Sequence, residues 1–388
     1  MLGQLGSVAY ERFNEARQAG EPKAVLVEHL NGARQFYQQQ LDLTPPDANC
    51  YSIPTITEAR MIDAPRPTTT PYPSLKLLVN EIRNAAAAWF ASRDLPTHAK
   101  HGHVLGKSVD WHENLILPEV RTYIDTEIAN ADRKVTRRSP FALNGAISNG
   151  ASSQAMAFNL VGPLIARGDL GPLREVIEKA GVPWPTGATA SFEIESRIVF
   201  NEQHGQPTSI DLVVNGDSPD SPPIMIEVKL TESGFGGCSV FAKGQCDTKG
   251  ANPLPDLHQC YLHRKGYTYW QRMAEYGLLP DLPQAGSACA LVFDYQFYRE
   301  LLFALYHSGY FVLLHDARSP VFMGTPTSSL PRLLAQLPAQ LRDRVASITV
   351  QEVVATIRAS RRHNDWIEAF EAKYGLSHSL TGCALGRS

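Results

Sequence analysis

Apolar and polar residues are arranged along the chain in patterns that predict both strands and helices. Two apolar runs of strand length, 209–214 and 224–229, flank the polar segment Asn215–Pro223, which is rich in proline, serine and aspartate. Turn-forming residues between two such runs predict a β-hairpin. The runs read Ser-Ile-Asp-Leu-Val-Val and Ile-Met-Ile-Glu-Val-Lys, so both strands carry charged residues among apolar ones.

Around this hairpin the same patterns predict a larger α/β domain. The further expected elements are helix 152–166, strand 191–200, helix 256–276, strand 288–293, helix 296–307 and strand 310–315. Strands and helices in this order predict an α/β fold, in which helices flank a sheet. Residues 140–325 are therefore expected to form one α/β domain.

Both flanks of this domain are predicted to be helical. Residues 1–139 carry mainly helical patterning, interrupted at 43–74 by a stretch rich in Pro and Thr. Because proline breaks helices, that stretch is typical of an extended connector. Residues 326–388 are predicted to form a helical C-terminal extension.

Asp211, Glu227 and Lys229 are the charged residues of the two predicted hairpin strands. Side chains two residues apart on a strand share a face, so Glu227 and Lys229 point the same way and Asp211 can meet them from the neighbouring strand. Carboxylates suit Mg²⁺, which prefers oxygen ligands, and a lysine can steady a hydroxide or a developing phosphorane charge. The pattern therefore indicates metal-assisted phosphodiester hydrolysis. The alternative is a surface hairpin whose solvent face carries these charges.

This arrangement resembles the PD-(D/E)xK nuclease superfamily, which has the restriction-endonuclease-like fold, with a mixed sheet flanked by helices. In this sequence the Asp of the superfamily motif would be Asp211, and its Glu-x-Lys would be residues 227–229. Ile210 stands where the motif usually has proline. The resemblance implies that Asp211, Glu227 and the carbonyl of Val228 bind Mg²⁺ or Mn²⁺. It also implies that Lys229 orients the attacking water.

The stretch 152–270 is similar to a family of uncharacterised bacterial restriction endonucleases. The matching features are residues 152–160, Phe192-Glu193, Asp211, residues 227–232, the turn 235–238, Cys260-Tyr261 and Tyr269-Trp270. The similarity implies a metal-dependent endonuclease acting on DNA, with a role in restriction or defence against foreign DNA. Two alternatives stay open, namely a nuclease that acts on RNA and a nucleic-acid-binding module that has the fold without the chemistry.

Four further residues are candidates for this active site. Members of the superfamily often carry an additional carboxylate on the first helix or strand, which implies Glu193, with Glu195 two residues away as the weaker match. They often have Glu or Gln at the start of the opening helix, which implies Gln154. The alternatives are solvent exposure for both glutamates and a helix-surface position for Gln154. Glu232 is expected either to extend the metal shell or to cap the loop after the second strand.

Cys238, Cys246, His258 and Cys260 fall within twenty-three residues, directly after the Glu-x-Lys strand. Thiolates and imidazole suit a structural Zn²⁺ or an iron–sulfur cluster. The spacing is irregular, however, and contains no Cys-x₂-Cys pair. The expectation is therefore that these cysteines are reduced and pack a loop and a helix, with a structural metal as the alternative.

The formal net charge of −3 does not favour a protein coated in cations. Nucleic acid would therefore have to meet a local basic surface. Lys134, Arg137 and Arg138 form one candidate cluster, and Arg361 and Arg362 belong to another. Either cluster could neutralise phosphates, although charged clusters are more often simply solvated.

Composition and the missing motifs exclude several classes of protein. The chain of 388 residues, 43% of them apolar, is long enough for a sizeable core. It has no apolar run of eighteen residues and only six cysteines, and its first residues lack the basic region and apolar core expected of a secretion signal. It also lacks the phosphate-binding, dinucleotide-binding and serine-hydrolase glycine motifs. We expect a cytoplasmic protein without membrane spans, and cutting of both DNA strands would favour a homodimer.

Overall fold

The computed structural model describes residues 71–134, 141–203, 205, 207–247, 249–250, 259–278, 289 and 291–376. For residues 131–134 it describes the backbone alone. The expected connector at 43–74 therefore lies almost entirely outside the described residues, as does the chain before it.

Within these ranges the strands form two sheets. A small antiparallel hairpin pairs β1 (Thr97–His98) with β2 (His101–Leu105). The larger sheet consists of β3 (Thr189–Ser196), β4 (Thr208–Asn215), β5 (Ile224–Lys229), β6 (Tyr310–His315) and β7 (Val345–Thr349). Its strands lie side by side in chain order, and the β3–β4 and β4–β5 pairs are antiparallel. The β5–β6 and β6–β7 pairs are parallel, which confirms the predicted mixed sheet.

Helices cover both faces of the larger sheet. Those before β3 are α1 (Leu75–Ala91), α2 (Pro118–Lys134), α3 (Ser153–Ala166) and α4 (Gly171–Lys179). Those between β5 and β6 are α5 (Ser239–Ala242), α6 (Tyr261–Arg264), α7 (Tyr269–Glu275) and α8 (Leu291–Tyr306). Those after β6 are α9 (Ser329–Gln336), α10 (Ala339–Arg342), α11 (Val350–Ser360) and α12 (Asn364–Tyr374). The predicted α/β class, with helices flanking the sheet and at both ends, is confirmed.

The two faces of the sheet are buried in separate hydrophobic cores. Ile226 belongs to the core that includes α1 to α4, α11 and α12. Met225, which points the other way, belongs to the core that includes α7 to α10. Because side chains alternate along a strand, Glu227 and Lys229 lie on the same face as Met225, against α8. In the described part of the chain, no helix is long and apolar enough to cross a membrane.

The predicted strand at 288–293 is wrong. Leu291, Val292 and Phe293 form the first turn of α8, which continues to Tyr306 across a kink at Asp294, where φ is −125° and ψ is 39°. A short apolar run does not distinguish a buried helix from a strand. Packing decides in favour of the helix here. Because β5 pairs directly with β6, the apolar run is not part of the sheet and packs against its face.

Three other elements differ from their sequence-based bounds. The first strand ends at Ser196, and residues 197–200 leave the sheet. The helix expected at 256–276 consists, where it is described, of the two short helices α6 and α7, separated at Gly266, which has φ 85°. The described part of the segment 326–388, which ends at residue 376, contains the helices α9 to α12, but Val345–Thr349 forms the edge strand β7 by pairing with β6. Only long-range pairing could reveal that strand.

Arg318 ties together three separate parts of the chain. Its guanidinium donates to Asp316 and to Glu81 of α1, both at 2.7 Å, and to the carbonyls of Tyr374 and Gly375 at the end of α12, at 2.9 and 2.8 Å. Arg318 and Asp316 are fully buried. The loop after β6 is therefore fastened to the first and last described helices by one buried cation.

Replacing Arg318 by alanine is expected to destabilise the protein by about 3–5 kcal/mol, because it leaves Asp316 as an unpaired buried charge. The measurement is the free energy of unfolding from urea titration. Arg362→Ala is the matched control, since Arg362 is 62% exposed in its ion pair with Asp169, and it is expected to cost about 1 kcal/mol or less. Equal losses in the two variants would contradict the anchoring role of Arg318.

Candidate active site

Asp211, Glu227 and Lys229 come together where β4 and β5 separate. The pairing of these strands reaches Leu212 and Ile226 and stops there. One residue further on, the Asp211 carboxylate takes the place of a strand partner and accepts the backbone N–H of Val228 at 2.9 Å. The side chains of the predicted motif are therefore directed to one side of the sheet, around the gap between the strands.

Gln296 of α8 joins Glu227 to Lys229. The Lys229 Nζ lies 2.6 Å from the Glu227 Oε1 and donates to the Gln296 Oε1 at 2.7 Å. The Gln296 Nε2 donates back to the same Glu227 oxygen at 2.6 Å. Burial alone would lower the pKa of Lys229, but nearby carboxylates, Glu227 first, outweigh it and raise that pKa. The lysine is thus held as an ammonium in a fixed position.

Glu300 lies one helical turn after Gln296 and is a third carboxylate at this position. It is 2% exposed, and its proximity helps to raise the pKa of Glu227. Burial is the main cause that raises the pKa of Glu300 to about 7. Burial, followed by a neighbouring carboxylate, also raises the pKa values of Asp211 and Glu227. A single lysine therefore leaves an excess of buried acidic groups.

Glu193 faces this group from β3. It lies between the Phe192–Leu212 and Ile194–Ile210 pairs, which places it opposite Asp211. Its φ of 54° is in the left-handed region, where side chains other than those of glycine are strained. The Phe192–Leu212 pair packs in one core and the Ile194–Ile210 pair packs against the other, so the alternation of faces breaks at Glu193.

Gln154 holds Glu193 in place. Its Nε2 donates to the Glu193 Oε1 at 2.6 Å and to the Ala142 carbonyl at 2.8 Å, and its Oε1 accepts the Asn144 N–H at 2.8 Å. The Ser209 hydroxyl donates to the other Glu193 oxygen at 3.1 Å. Burial and then Asp211 raise the pKa of Glu193 to about 8. The structure therefore buries both Glu193 and Gln154 beside the motif rather than exposing them.

Of the two roles expected for Glu232, in the metal shell or as a cap of the loop, the structure shows the second. Its carboxylate accepts the backbone N–H groups of Leu230 and Thr231 at 2.6 and 2.9 Å. It therefore caps the loop directly after β5. Through its charge it still acts on Lys229, whose pKa it helps to raise.

A cleft of about 340 Å³ opens onto the site. Asp211, Gln296 and Glu300 line it, together with Arg299 of α8 and the loop 235–237. Gly237 lets this loop lie against α8, since an added Cβ would be only 2.6 Å from the Val292 carbonyl oxygen. Asp211, Gln296 and Glu300 can thus be reached by a ligand from outside.

Arg299 is already engaged by other groups. It donates to Glu202 at 2.9 Å and to the Thr208 hydroxyl at 2.7 Å, and it packs over the Tyr295 ring. Tyr269 donates a hydrogen bond to the same Glu202 carboxylate. This cation therefore neutralises Glu202 and leaves the carboxylates around Lys229 in excess.

The donor set fits a hard divalent cation. The Glu227 Oε2 and the Glu300 Oε2 are buried without a hydrogen-bond partner in the described structure, and buried polar atoms are rarely left so. Oxygen donors suit Mg²⁺ or Mn²⁺, and Mg²⁺ is usually held by one or two carboxylates while keeping several waters. Among the described residues, no three His, Cys, Asp or Glu side chains form a ready-made metal cage.

Cys238, Cys246, Cys260 and Cys289 are free thiols in the described structure. Cys246 and Cys260 pack together with Phe241 and Leu262. Burial, and to a lesser extent the neighbouring thiols, raise the pKa values of Cys246 and Cys289 to about 12. Cys289 is a neighbour that the sequence did not indicate.

The N–H of Cys238 donates to the Val292 carbonyl of α8 at 3.0 Å, which places this thiol near the same helix. His258 lies outside the described residues. Metal binding by this group remains a prediction.

The structure does not bring the basic candidates to the cleft where it describes them. Arg361 and Arg362 follow α11, which packs on the core opposite α8, and Arg362 pairs with Asp169 at 3.1 Å. Of Lys134 only the backbone is described, and Arg137 and Arg138 lie outside the described residues. Phosphate contact by these residues remains a prediction.

Gln296, Glu300 and Arg299 are the site residues that the sequence reasoning missed. They lie within Gln-Phe-Tyr-Arg-Glu, in an otherwise apolar helical run. Residues spaced by three or four share one face of a helix. Polar residues at that spacing in a buried helix could have indicated a functional face.

The raised pKa of Glu193 predicts a pH dependence of stability. Between pH 4.5 and 8 the native state keeps a proton on Glu193 that the unfolded state releases. The contribution of Glu193 to the free energy of unfolding is therefore complete below pH 4.5 and is lost as the pH rises through 8. In EDTA, the free energy of unfolding should fall over this interval. Glu193→Gln should reduce the fall by more than about 1 kcal/mol, whereas the exposed control Glu175→Gln should not. Identical pH profiles for wild type and Glu193→Gln would contradict this assignment.

Comparison with known proteins agrees with this picture. No curated protein and no solved structure matched the chain. A family model described as "Restriction Endonuclease associating with ARP" matches residues 83–375, well over half of the chain and including the whole larger sheet and the site. The chain therefore belongs to the family of restriction endonucleases associating with ARP.

Proposed function

We propose that the protein is a divalent-metal-dependent endonuclease of the PD-(D/E)xK type, which hydrolyses phosphodiester bonds in DNA. The observation that carries the proposal is the position of Asp211, Glu227 and Lys229 around the gap between β4 and β5, next to an open cleft. Membership of a restriction-endonuclease family supports this reading and favours a cytoplasmic role in defence against foreign DNA. The family description also names an association with ARP, which we propose as a partner.

Each residue of the site has a distinct part in the proposed chemistry. Asp211, Glu227 and the Val228 carbonyl would hold Mg²⁺ or Mn²⁺. The cation would supply Lewis-acid stabilisation of the charge that develops on the phosphate oxygens. Lys229, fixed by Gln296, would orient the attacking water and stabilise the same charge in a site with little solvent. Because each chain supplies one such site, we propose that double-strand cutting involves two copies.

Lys229→Gln is expected to lower the rate of DNA cutting about a hundredfold or more while leaving DNA binding nearly unchanged. A group that stabilises developing charge in a buried site is worth roughly 3 kcal/mol. Lys179→Gln is the matched control, because Lys179 is exposed on α4 behind the other core. The assay uses plasmid, linear and single-stranded DNA and RNA, with Mg²⁺, Mn²⁺ or EDTA. Wild-type cutting rates in Lys229→Gln would show that the site is assigned wrongly.

Metal titration separates the nuclease from a binding module without chemistry. Calorimetry with Mn²⁺ should detect binding to the wild type, and Asp211→Asn or Glu227→Gln should abolish it, because each removes an anionic oxygen ligand. A circular-dichroism melt in EDTA checks that the variants are folded. If wild-type protein binds DNA but shows no Mn²⁺ binding that depends on these residues, the inactive-module alternative replaces the nuclease. Cutting of RNA alone would replace DNA as the substrate.

A further inference from the structure

We propose that Glu300 is a third metal-binding carboxylate of this site, supplied by α8 rather than by the strands that carry the motif. The inference rests on the proposed function and adds to it. It implies that the cation is bound between the sheet and the helix, with carboxylates from both.

The position of Glu300 supports a ligand role. It lies on α8 four residues after Gln296, so both side chains leave the same face of the helix toward β5. Glu300 lies close to Glu227, whose pKa it helps to raise, and it lines the same cleft as Asp211. Carboxylates from β4 and α8 thus line one cleft that opens to solvent, and Glu227 of β5 is joined to the same helix through Gln296.

The hydrogen bonds around the site leave Glu300 with an unused oxygen. The Glu300 Oε2 is buried and has no partner in the described structure, and the same holds for the Glu227 Oε2. The neighbouring acids differ in this respect, because Glu193 is held by two side chains and Glu232 by two backbone N–H groups. A buried carboxylate oxygen without a donor is expected to have a ligand when the site is complete.

The balance of charge points to a cation. Asp211, Glu227 and Glu300 interact electrostatically with one lysine, Lys229. Arg299, the nearby cation of α8, is bound to Glu202 and Thr208 instead. Glu232 also acts on Lys229, but its carboxylate is bound to two backbone N–H groups. If the other three carboxylates are ionised, they and Lys229 together carry two uncompensated negative charges, which one divalent cation would neutralise.

A purely structural role makes a different prediction. A protonated Glu300 that serves only to donate a hydrogen bond to Glu227 could be replaced by glutamine, whose amide can donate the same bond. Glu300→Gln would then leave metal affinity unchanged. A ligand role requires instead that the loss of the anionic oxygen weakens metal binding.

The test is calorimetric titration of Glu300→Gln with Mn²⁺, together with thermal melts in EDTA. We expect the Mn²⁺ dissociation constant to rise by about 10- to 100-fold. We also expect the metal-free melting temperature to stay the same or to rise, because a buried like charge has been removed. The matched control is Glu178→Gln, in an exposed helix pair with Arg174, which should bind Mn²⁺ as the wild type does.

A second variant keeps the test decisive if Glu300→Gln does not fold. Glu300→Asp retains the charge but withdraws the oxygens by one methylene group, so a ligand role again requires weaker Mn²⁺ binding. An affinity within about twofold of the wild type in whichever variant folds overturns the proposal.

The result can be told apart from failure of the proposed function. If Asp211→Asn abolishes Mn²⁺ binding while Glu300→Gln does not, only the role of Glu300 is rejected. If the wild type binds no Mn²⁺ at the site, both are rejected.

Discussion

The burial of more acidic groups than a single lysine can neutralise is the constraint on which this site depends. Asp211, Glu227 and Glu300 surround Lys229 between the sheet and α8, and burial raises the pKa of each carboxyl. A folded core usually excludes such groups, because removing a charge from water is costly unless it is paired. Gln296 offsets part of that cost by bridging Glu227 and Lys229. The part of the burial cost that Gln296 does not offset is the physical basis for expecting a cation.

The sheet places these groups at its least regular point. At β5 antiparallel pairing with β4 gives way to parallel pairing with β6, and β4 leaves β5 beside Asp211. The backbone of Val228 then bonds to a side chain instead of a strand. This departure from regular pairing is what allows polar side chains to meet at a gap without disturbing the rest of the sheet.

The ends of the strands beside the site are held by a second buried ion pair, between Asp316 and Arg318. Lys229 lies beside His315, the last residue of β6, and Asp316 and Arg318 follow in the next loop. Arg318 fastens that loop to α1 and to the end of α12. Helices from both ends of the described chain thus help to fix the strand ends around the site. Rigid support of this kind is what positioning of a reactive group requires.

The sequence by itself determined the hairpin, its charged residues, α3 and β6, because turn residues and the periods of strands and helices are local properties. It could not determine that Leu291–Phe293 begin a helix, that Val345–Thr349 join the sheet, or that Gln296 and Glu300 meet Glu227. Gln296 is 69 residues from Glu227 in the chain. Contacts over that distance arise when α8 packs on the sheet, and local periodicity carries no information about which face of which element it will meet.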